Sequence, residues 1–273
     1  PGDRVLASCT LGCGRCVTCQ RGLASGCELT TAGGASNLFG FSCALPGGQA
    51  EAVRVPFADG NLLAIPSDLD DEQVLFLTDI LPTAHLAAEL AEVGPGDAVV
   101  VFGCGPVGSF AQRCAELRGA SRIVAVDLDE GRLARARARG YDVVNPRDGD
   151  LEERVRAGTA GRGADAVIEA VGRAELVAQA VALARHGGRI AFVGVITEPA
   201  PFFLGGLLFR NLTLRSGIVS PQTQWSKLLP LIESGRLDPT EIITHRLPLA
   251  EGVRGYRLFD RHEDGALKVV LRP

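Results

Sequence analysis

The sequence has no methionine, only two lysines (Lys227 and Lys268) and one tryptophan, and aromatic residues make up 5% of it. It also lacks an excess of positive charge: the formal net charge is −4, and nearly all the basic side chains are arginine. That balance leaves no electrostatic footprint for a phosphate backbone, which argues against a dedicated nucleic-acid binder. No apolar run reaches the ~18–20 residues of a membrane span. The longest, around Ala98–Val101 and Phe202–Phe209, are short and contain or border glycine. The chain starts Pro1-Gly2 with no charged-then-apolar leader, so no membrane partner is expected and the expected location is the cytoplasm. Internal repeats and low-complexity linkers are missing too. What remains is 273 residues, 46% of them hydrophobic, enough for one large domain or two ordinary ones.

Cysteine is the first positive signal. Eight are present, and four form a ladder, Cys13-x₂-Cys16-x₂-Cys19-x₇-Cys27. Two-residue gaps let successive sulfurs turn back toward one point, and the longer gap closes a loop onto it. Four thiolates around a tetrahedral Zn²⁺ suit that spacing, and a full shell leaves no open position for catalysis. A disulfide cluster or four unrelated thiols are the competing readings, the former weakened by the missing leader. Cys9, Cys43, Cys104 and Cys114 read as buried small apolar residues.

From Pro1 to about Pro66, glycines and short apolar runs such as Glu51–Pro56 predict irregular β structure with loops. Helical spacing follows at Leu81–Glu92. Ala98–Phe102 is then a run of β-formers without polar alternation, as expected of a parallel strand covered on both faces. Further strands are predicted at Arg122–Asp127, Asp142–Asn145, Ala164–Ala170, Arg189–Val195 and Leu212–Ser216. Helices are predicted between them at Val107–Leu117, Glu130–Arg139, Leu151–Ala157 and Ala174–Arg185. This rhythm argues for βαβ units and a doubly wound α/β sheet. The remainder holds an amphipathic helix, Trp225–Glu233, and two short apolar runs, Ile242–Leu247 and Ala266–Leu271.

Gly103-Cys104-Gly105-Pro106-Val107-Gly108 fits the G-x-G-x-x-G pattern, follows the strongest strand and opens a helix. Asp127 closes the next strand, at the spacing expected of a dinucleotide site. Gly103 would permit the tight turn, Gly105 the approach of a pyrophosphate, and Gly108 close helix–strand packing. The helix N-terminus, opened by Pro106 and Val107, offers free N–H groups to phosphates. Asp127 would accept hydrogen bonds from a ribose diol and repel a 2′-phosphate, so NAD is favoured over NADP. The bland alternative is a turn that merely needs glycine.

A cysteine ladder upstream of this fingerprint resembles the zinc-dependent medium-chain alcohol dehydrogenase family. The resemblance also rests on Gly2-Asp3-Arg4-Val5, on Gly47–Glu51, and on the ending Ile243–Arg246 with Gly265–Val270. It implies a Rossmann doubly wound parallel sheet at 81–222, with 1–80 and 223–273 as parts of a β-rich (GroES-like) catalytic domain. Leu77-Thr78-Asp79-Ile80 resembles the branch of secondary alcohol and glutathione-independent formaldehyde dehydrogenases. That branch implies Asp79 as a catalytic zinc ligand beside a Cys and a His from an N-terminal region. Judged from the residues alone, Asp79 reads first as the N-cap of the Leu81–Glu92 helix. By the same carry-over Arg132 would steady the adenosine ribose, and Val193, Gly194 and Val195 would pack along the nicotinamide. Without the resemblance these are a solvated helix charge and the end of a buried strand. His245 is expected to be structural, and His85, His186 and His262 ordinary.

The resemblance therefore implies hydride transfer between an alcohol, or an aldehyde hydrate, and NAD. The catalytic Cys and the Gly-His-Glu segment of the family are not among these residues, so an N-terminally truncated chain with an incomplete catalytic domain is expected. A truncated homologue that binds NAD or a partner without catalysis is the main rival. A redox- or zinc-responsive module built on the cysteine lobe is a weaker one. A homo-oligomer, dimer or tetramer, is expected, with Leu212–Val219 resembling the family's dimerisation edge.

Overall fold

The computed structural model describes residues 1–32, 37–41, 45–66, 68–149, 151–200 and 202–273, so Cys43 lies outside it. The chain divides into two compact units, one of Pro1–Pro82 with Ile218–Pro273 and one of Thr83–Gly217.

The first 82 residues contain little regular structure. Strand β1 (Val5–Ala7) pairs antiparallel with β2 (Leu62–Ala64), placing Leu6 opposite Leu63. Glu51–Pro56, one of the short apolar runs, is irregular and mostly exposed and forms no strand. Helices α1 (Val17–Gln20), α2 (Ala58–Asn61) and α3 (Asp71–Val74) are single turns. Buried amides hold this unit where a ladder would otherwise do so. The Asn61 side chain accepts from Gly12 N–H at 2.9 Å and donates to Gly12 O at 2.8 Å. Asn37 donates to the carbonyls of Leu11 (2.8 Å) and Ala24 (2.9 Å). Each satisfies backbone groups that burial would otherwise orphan. Helix α4 (Ile80–Leu90) buries Leu81, Ala84, Ala87 and Ala88, the spacing of one helical face.

In the second unit β3 (Ala98–Phe102), β4 (Arg122–Val126), β5 (Asp142–Val144), β6 (Ala164–Glu169), β7 (Ala184–Phe192) and β8 (Thr213–Ser216) form one parallel sheet. Their order is β5-β4-β3-β6-β7-β8, that of a dinucleotide-binding doubly wound fold. The run in β3 lacks alternation because both its faces are covered. Val100, Phe102, Val124 and Val167 pack with Leu151 and Val155 of α7 (Leu151–Ala157) and with Val177, Ala180 and Leu183 of α8 (Ala174–Leu183). The alternate residues Val99, Val101, Ile123 and Ala125 are equally buried on the other face. Helices α5 (Pro106–Leu117) and α6 (Glu130–Ala138) follow β3 and β4.

In this unit two features differ from expectation. Strand β7 begins at Ala184, straight after α8, and ends at Phe192 rather than Val195. Its pairing with β6 shifts register between Ala164 and Ala166, which accommodates the polar, glycine-containing start Arg185–Gly188. Helix α9 (Leu204–Arg210) was not expected; none of its residues is buried, so it carries no core-facing stripe.

The first unit is completed by α10 (Trp225–Glu233), β9 (His245–Pro248), α11 (Gly252–Asp260) and β10 (Val269–Arg272). Trp225 is buried on α10 and its Nε1–H donates to Leu77 O at 2.9 Å. The two apolar runs near the end pair as parallel strands, His245 opposite Val269. Among the described residues no helix is long and apolar enough to cross a membrane.

Candidate functional site

The glycine turn takes the shape its spacing requires. Gly103 follows β3 with φ +92°, in the left-handed region that favours glycine. Gly105 is the residue before α5 and offers no side-chain cap, with Pro106 opening the helix. A Cβ on Gly108 would lie 1.9 Å from Gly103 O, so only glycine lets α5 approach the end of β3. A Cβ on Gly105 would meet nothing nearer than Arg132 Nη1 at 3.7 Å, so the N-terminus of α5 stays open. An uncapped, open helix N-terminus is suited to phosphate oxygens.

Asp127 stands one residue beyond β4 and faces this turn. Its Oδ2 accepts from Cys104 N–H at 2.7 Å and its Oδ1 from Asp129 N–H at 2.9 Å. A carboxylate has about four acceptor positions, so capacity remains for a diol. Asp129 caps α6 by accepting from Arg132 N–H at 3.0 Å, which places the half-buried Arg132 beside Gly105. Cys104 and Cys114 are buried, as expected. Burial, with Asp127 adding to it, pushes the Cys104 thiol up to about 12, so it is an inert thiol at neutral pH.

Val193, Gly194 and Val195 come just after β7. The N–H groups of Val193 and Gly194 both donate to Glu169 O, at 3.0 and 3.1 Å, which turns the chain away from the sheet and leaves Val195 77% exposed. Glu169 itself was not singled out by the sequence. It ends β6 fully buried, and its Oε1 accepts from Val171 N–H (2.8 Å) and Gly172 N–H (2.7 Å). A glutamate after Ala166-Val167-Ile168 carries no pattern that distinguishes it from an exposed strand end.

In the other unit the four ladder cysteines meet. Their sulfurs lie within 4.8 Å of one another and all four are free thiols. Tetrahedral Zn–S bonds of ~2.3 Å put sulfurs about 3.8 Å apart. Cys16 Sγ and Cys27 Sγ are 3.9 Å apart, which fits that shell and excludes a bond between them. Cys13 N–H donates to Cys27 Sγ at 3.3 Å, and a Cβ on Gly12 would press to 3.1 Å from Cys19 Sγ. The Thr18 hydroxyl, followed by Cys19 N–H, lowers Cys16 to about 6, whereas burial raises Cys19 to about 12.

Asp79 is exposed, at the position just before α4. It lines a cavity of about 420 Å³ with Cys9, Phe39, Phe76, Leu249 and Lys268. Cys9 is half-buried in the same lining, and burial, then the Asp79 charge, raise its thiol. Lys268 Nζ sits 5.9 Å from the centroid of the Phe76 ring. Among the described residues the only group of three or more candidate ligands is the cysteine ladder, so a full ligand set around Asp79 is not assembled from them. His245 is held by Thr244 Oγ1 (2.9 Å) and Asp264 Oδ2 (3.2 Å), His85 is buried on α4, and His186 and His262 are exposed.

Residues 106–234 match the zinc-binding dehydrogenase family profile. Over its whole length the chain is 39% identical to a Mycobacterium tuberculosis protein described as a probable zinc-binding alcohol dehydrogenase, covering 69% of that relative. It is 34% identical to the zinc-type alcohol dehydrogenase-like protein AdhB of Bacillus subtilis, again over the whole chain and 79% of the relative. Among solved structures, the alcohol dehydrogenase TADH from Thermus sp. ATN1 superposes with a TM-score of 0.92 at 40% identity, over all of this chain and 78% of that one. The chain belongs to the family of zinc-binding alcohol dehydrogenases.

Proposed function

We infer that the protein works in the transfer of a hydride between an alcohol, or an aldehyde hydrate, and NAD. The observation that carries the cofactor choice is the Asp127 carboxylate fixed against the Gly103–Gly108 turn through Cys104 N–H. A negative charge there accepts from a ribose diol and repels a phosphate in its place. When bound, NAD⁺ supplies the hydride acceptor at the nicotinamide C4. The chain's part is to hold it: the open end of α5 takes the pyrophosphate, Asp127 and Arg132 the adenosine ribose, and Val193–Val195 the nicotinamide face.

Cys13, Cys16, Cys19 and Cys27 would hold a structural zinc, whose role is to fix the loop they share. Asp79 would give one ligand to a catalytic zinc. A catalytic site needs three protein ligands, so no chemical step is derived through that metal from the residues described. The Thr83–Gly217 unit is assigned to the cofactor and the other unit to substrate and structural zinc. The free thiols suit the reducing cytoplasm. A homo-oligomer is supported by Phe203, Leu204, Leu208 and Phe209, which are 69–76% exposed near the β8 edge.

Metal analysis combined with a spectrophotometric assay tests this reading. One zinc per chain that is lost in Cys16→Ser supports the ladder assignment, and NAD⁺ reduction that depends on an added secondary alcohol supports the hydride-transfer reading. Zinc that survives Cys16→Ser removes the ladder assignment. NADH binding without any alcohol-dependent turnover turns the protein into a binding homologue.

A further inference from the structure

The dinucleotide crevice of a doubly wound sheet lies beyond the carboxyl ends of its strands, where the strand order reverses. Here that point falls between β3 and β6, and a carboxyl group is buried at it. Glu169 is 0% exposed, opposite Phe102 of β3 on one side and Phe192 of β7 on the other. Its carbonyl and one carboxylate oxygen are engaged with turns at the carboxyl ends of the strands. Its carbonyl accepts from Val193 and Gly194, and its Oε1 accepts from Val171 and Gly172. Its Oε2 is buried without a hydrogen-bond partner.

The turns around it are packed to contact. Gly172 has φ +89°, and a Cβ there would meet Val195 O at 2.7 Å. A Cβ on Gly194 would meet Gly172 N at 2.2 Å and Glu169 Oε2 at 2.5 Å. One on Gly103 would meet Val171 Cγ2 at 3.0 Å, so the phosphate turn abuts the same cluster. Burial raises the Glu169 carboxyl while the N–H groups of Gly172, Val171 and Arg173 pull it back. A buried acid with an orphaned oxygen is costly, and an apolar residue could have filled the space. Stability alone does not account for a carboxyl at this position.

We propose that Glu169 is a positioning residue for the nicotinamide half of the bound dinucleotide, holding the Val171–Gly172 turn against Gly194 and thereby setting the surface that Val193–Val195 present to the ring. The proposal rests on the reading of this unit as an NAD site. It concerns one end of the ligand only, because Asp127 and the α5 terminus serve the adenosine end independently.

The test compares NADH with ADP-ribose, which has the adenosine and phosphates but no nicotinamide, on the full 273-residue chain. Glu169→Ala is expected to weaken NADH, read by its fluorescence enhancement, about tenfold or more, with ADP-ribose within about twofold. Glu169→Gln keeps an acceptor oxygen for Val171 and Gly172 and is expected to restore NADH to within about threefold of wild type. If Glu169→Ala does not fold, Glu169→Asp, which withdraws the carboxyl by one methylene, carries the same expectation. An unchanged ratio of NADH to ADP-ribose affinity, whether both are kept or both fall, overturns the positioning role. So does a Glu169→Gln protein no better than Glu169→Ala. A wild-type chain that binds neither ligand overturns the NAD reading itself, and this inference with it.

Discussion

Gly108 leaves no room for a side chain, because a Cβ there would overlap Gly103 O at 1.9 Å. Gly108→Ala must therefore push α5 away from β3 and is expected to cost about 1–3 kcal/mol in urea unfolding. NADH affinity should fall with it, since the helix end moves off the phosphates; a variant as stable and as tight-binding as wild type would contradict the close packing. Glu72 sets a pH dependence in the other unit. Arg246 and Arg272 hold its carboxyl down to about 2, below the ordinary 4.5. A depressed carboxylate stabilises the fold above its ordinary value, and that contribution is lost as pH falls from about 4.5 to about 2. The arginines are largely solvated, so Glu72→Gln should cost only on the order of 1 kcal/mol at pH 7. It should also flatten the acid limb of a thermal-melt series. At this scale the sequence was informative where a residue type has one use, as with the three glycines and the four cysteines. Glu169 was not legible, because one glutamate after three apolar residues has the same appearance whether it is buried or exposed.

The elements divide by how their stability is obtained. Strands β3, β4 and β6 have buried central residues on both faces, and the bounds of β3 to β6 fell within one residue of those expected. Helices α9 and α11 escaped notice because their large apolar residues, such as Leu208 and Tyr256, point outward at 72% and 63% exposure. The start of β7 was hidden by Arg185-His186-Gly187-Gly188, a polar, glycine-containing stretch that falls at the register shift between the pairs Ala164–Ala184 and Ala166–Arg189. The cysteine lobe has neither strand ladder nor large core, so its order should depend on the metal. Chelation is expected to strip amide-exchange protection from residues 12–31 while leaving β3–β8 protected. Loss of protection in both regions alike would mean the lobe's order is not local to the zinc.

For the molecule as a whole, the central claim is that the Thr83–Gly217 unit selects NAD through Asp127. Family membership supplies the chemistry of alcohol oxidation but does not choose between the two dinucleotides, so the choice falls to the charge at one position. The carboxylate faces the turn with acceptor capacity to spare, and a 2′-phosphate brought to it would add like charge to a partly desolvated site. The most direct measurement is a pair of fluorescence titrations of the wild-type chain, with NADH and with NADPH, at one ionic strength. NADH should bind at least about tenfold more tightly, and Asp127→Ala should shrink that gap. NADPH binding as tightly as NADH, or more tightly, would contradict the account.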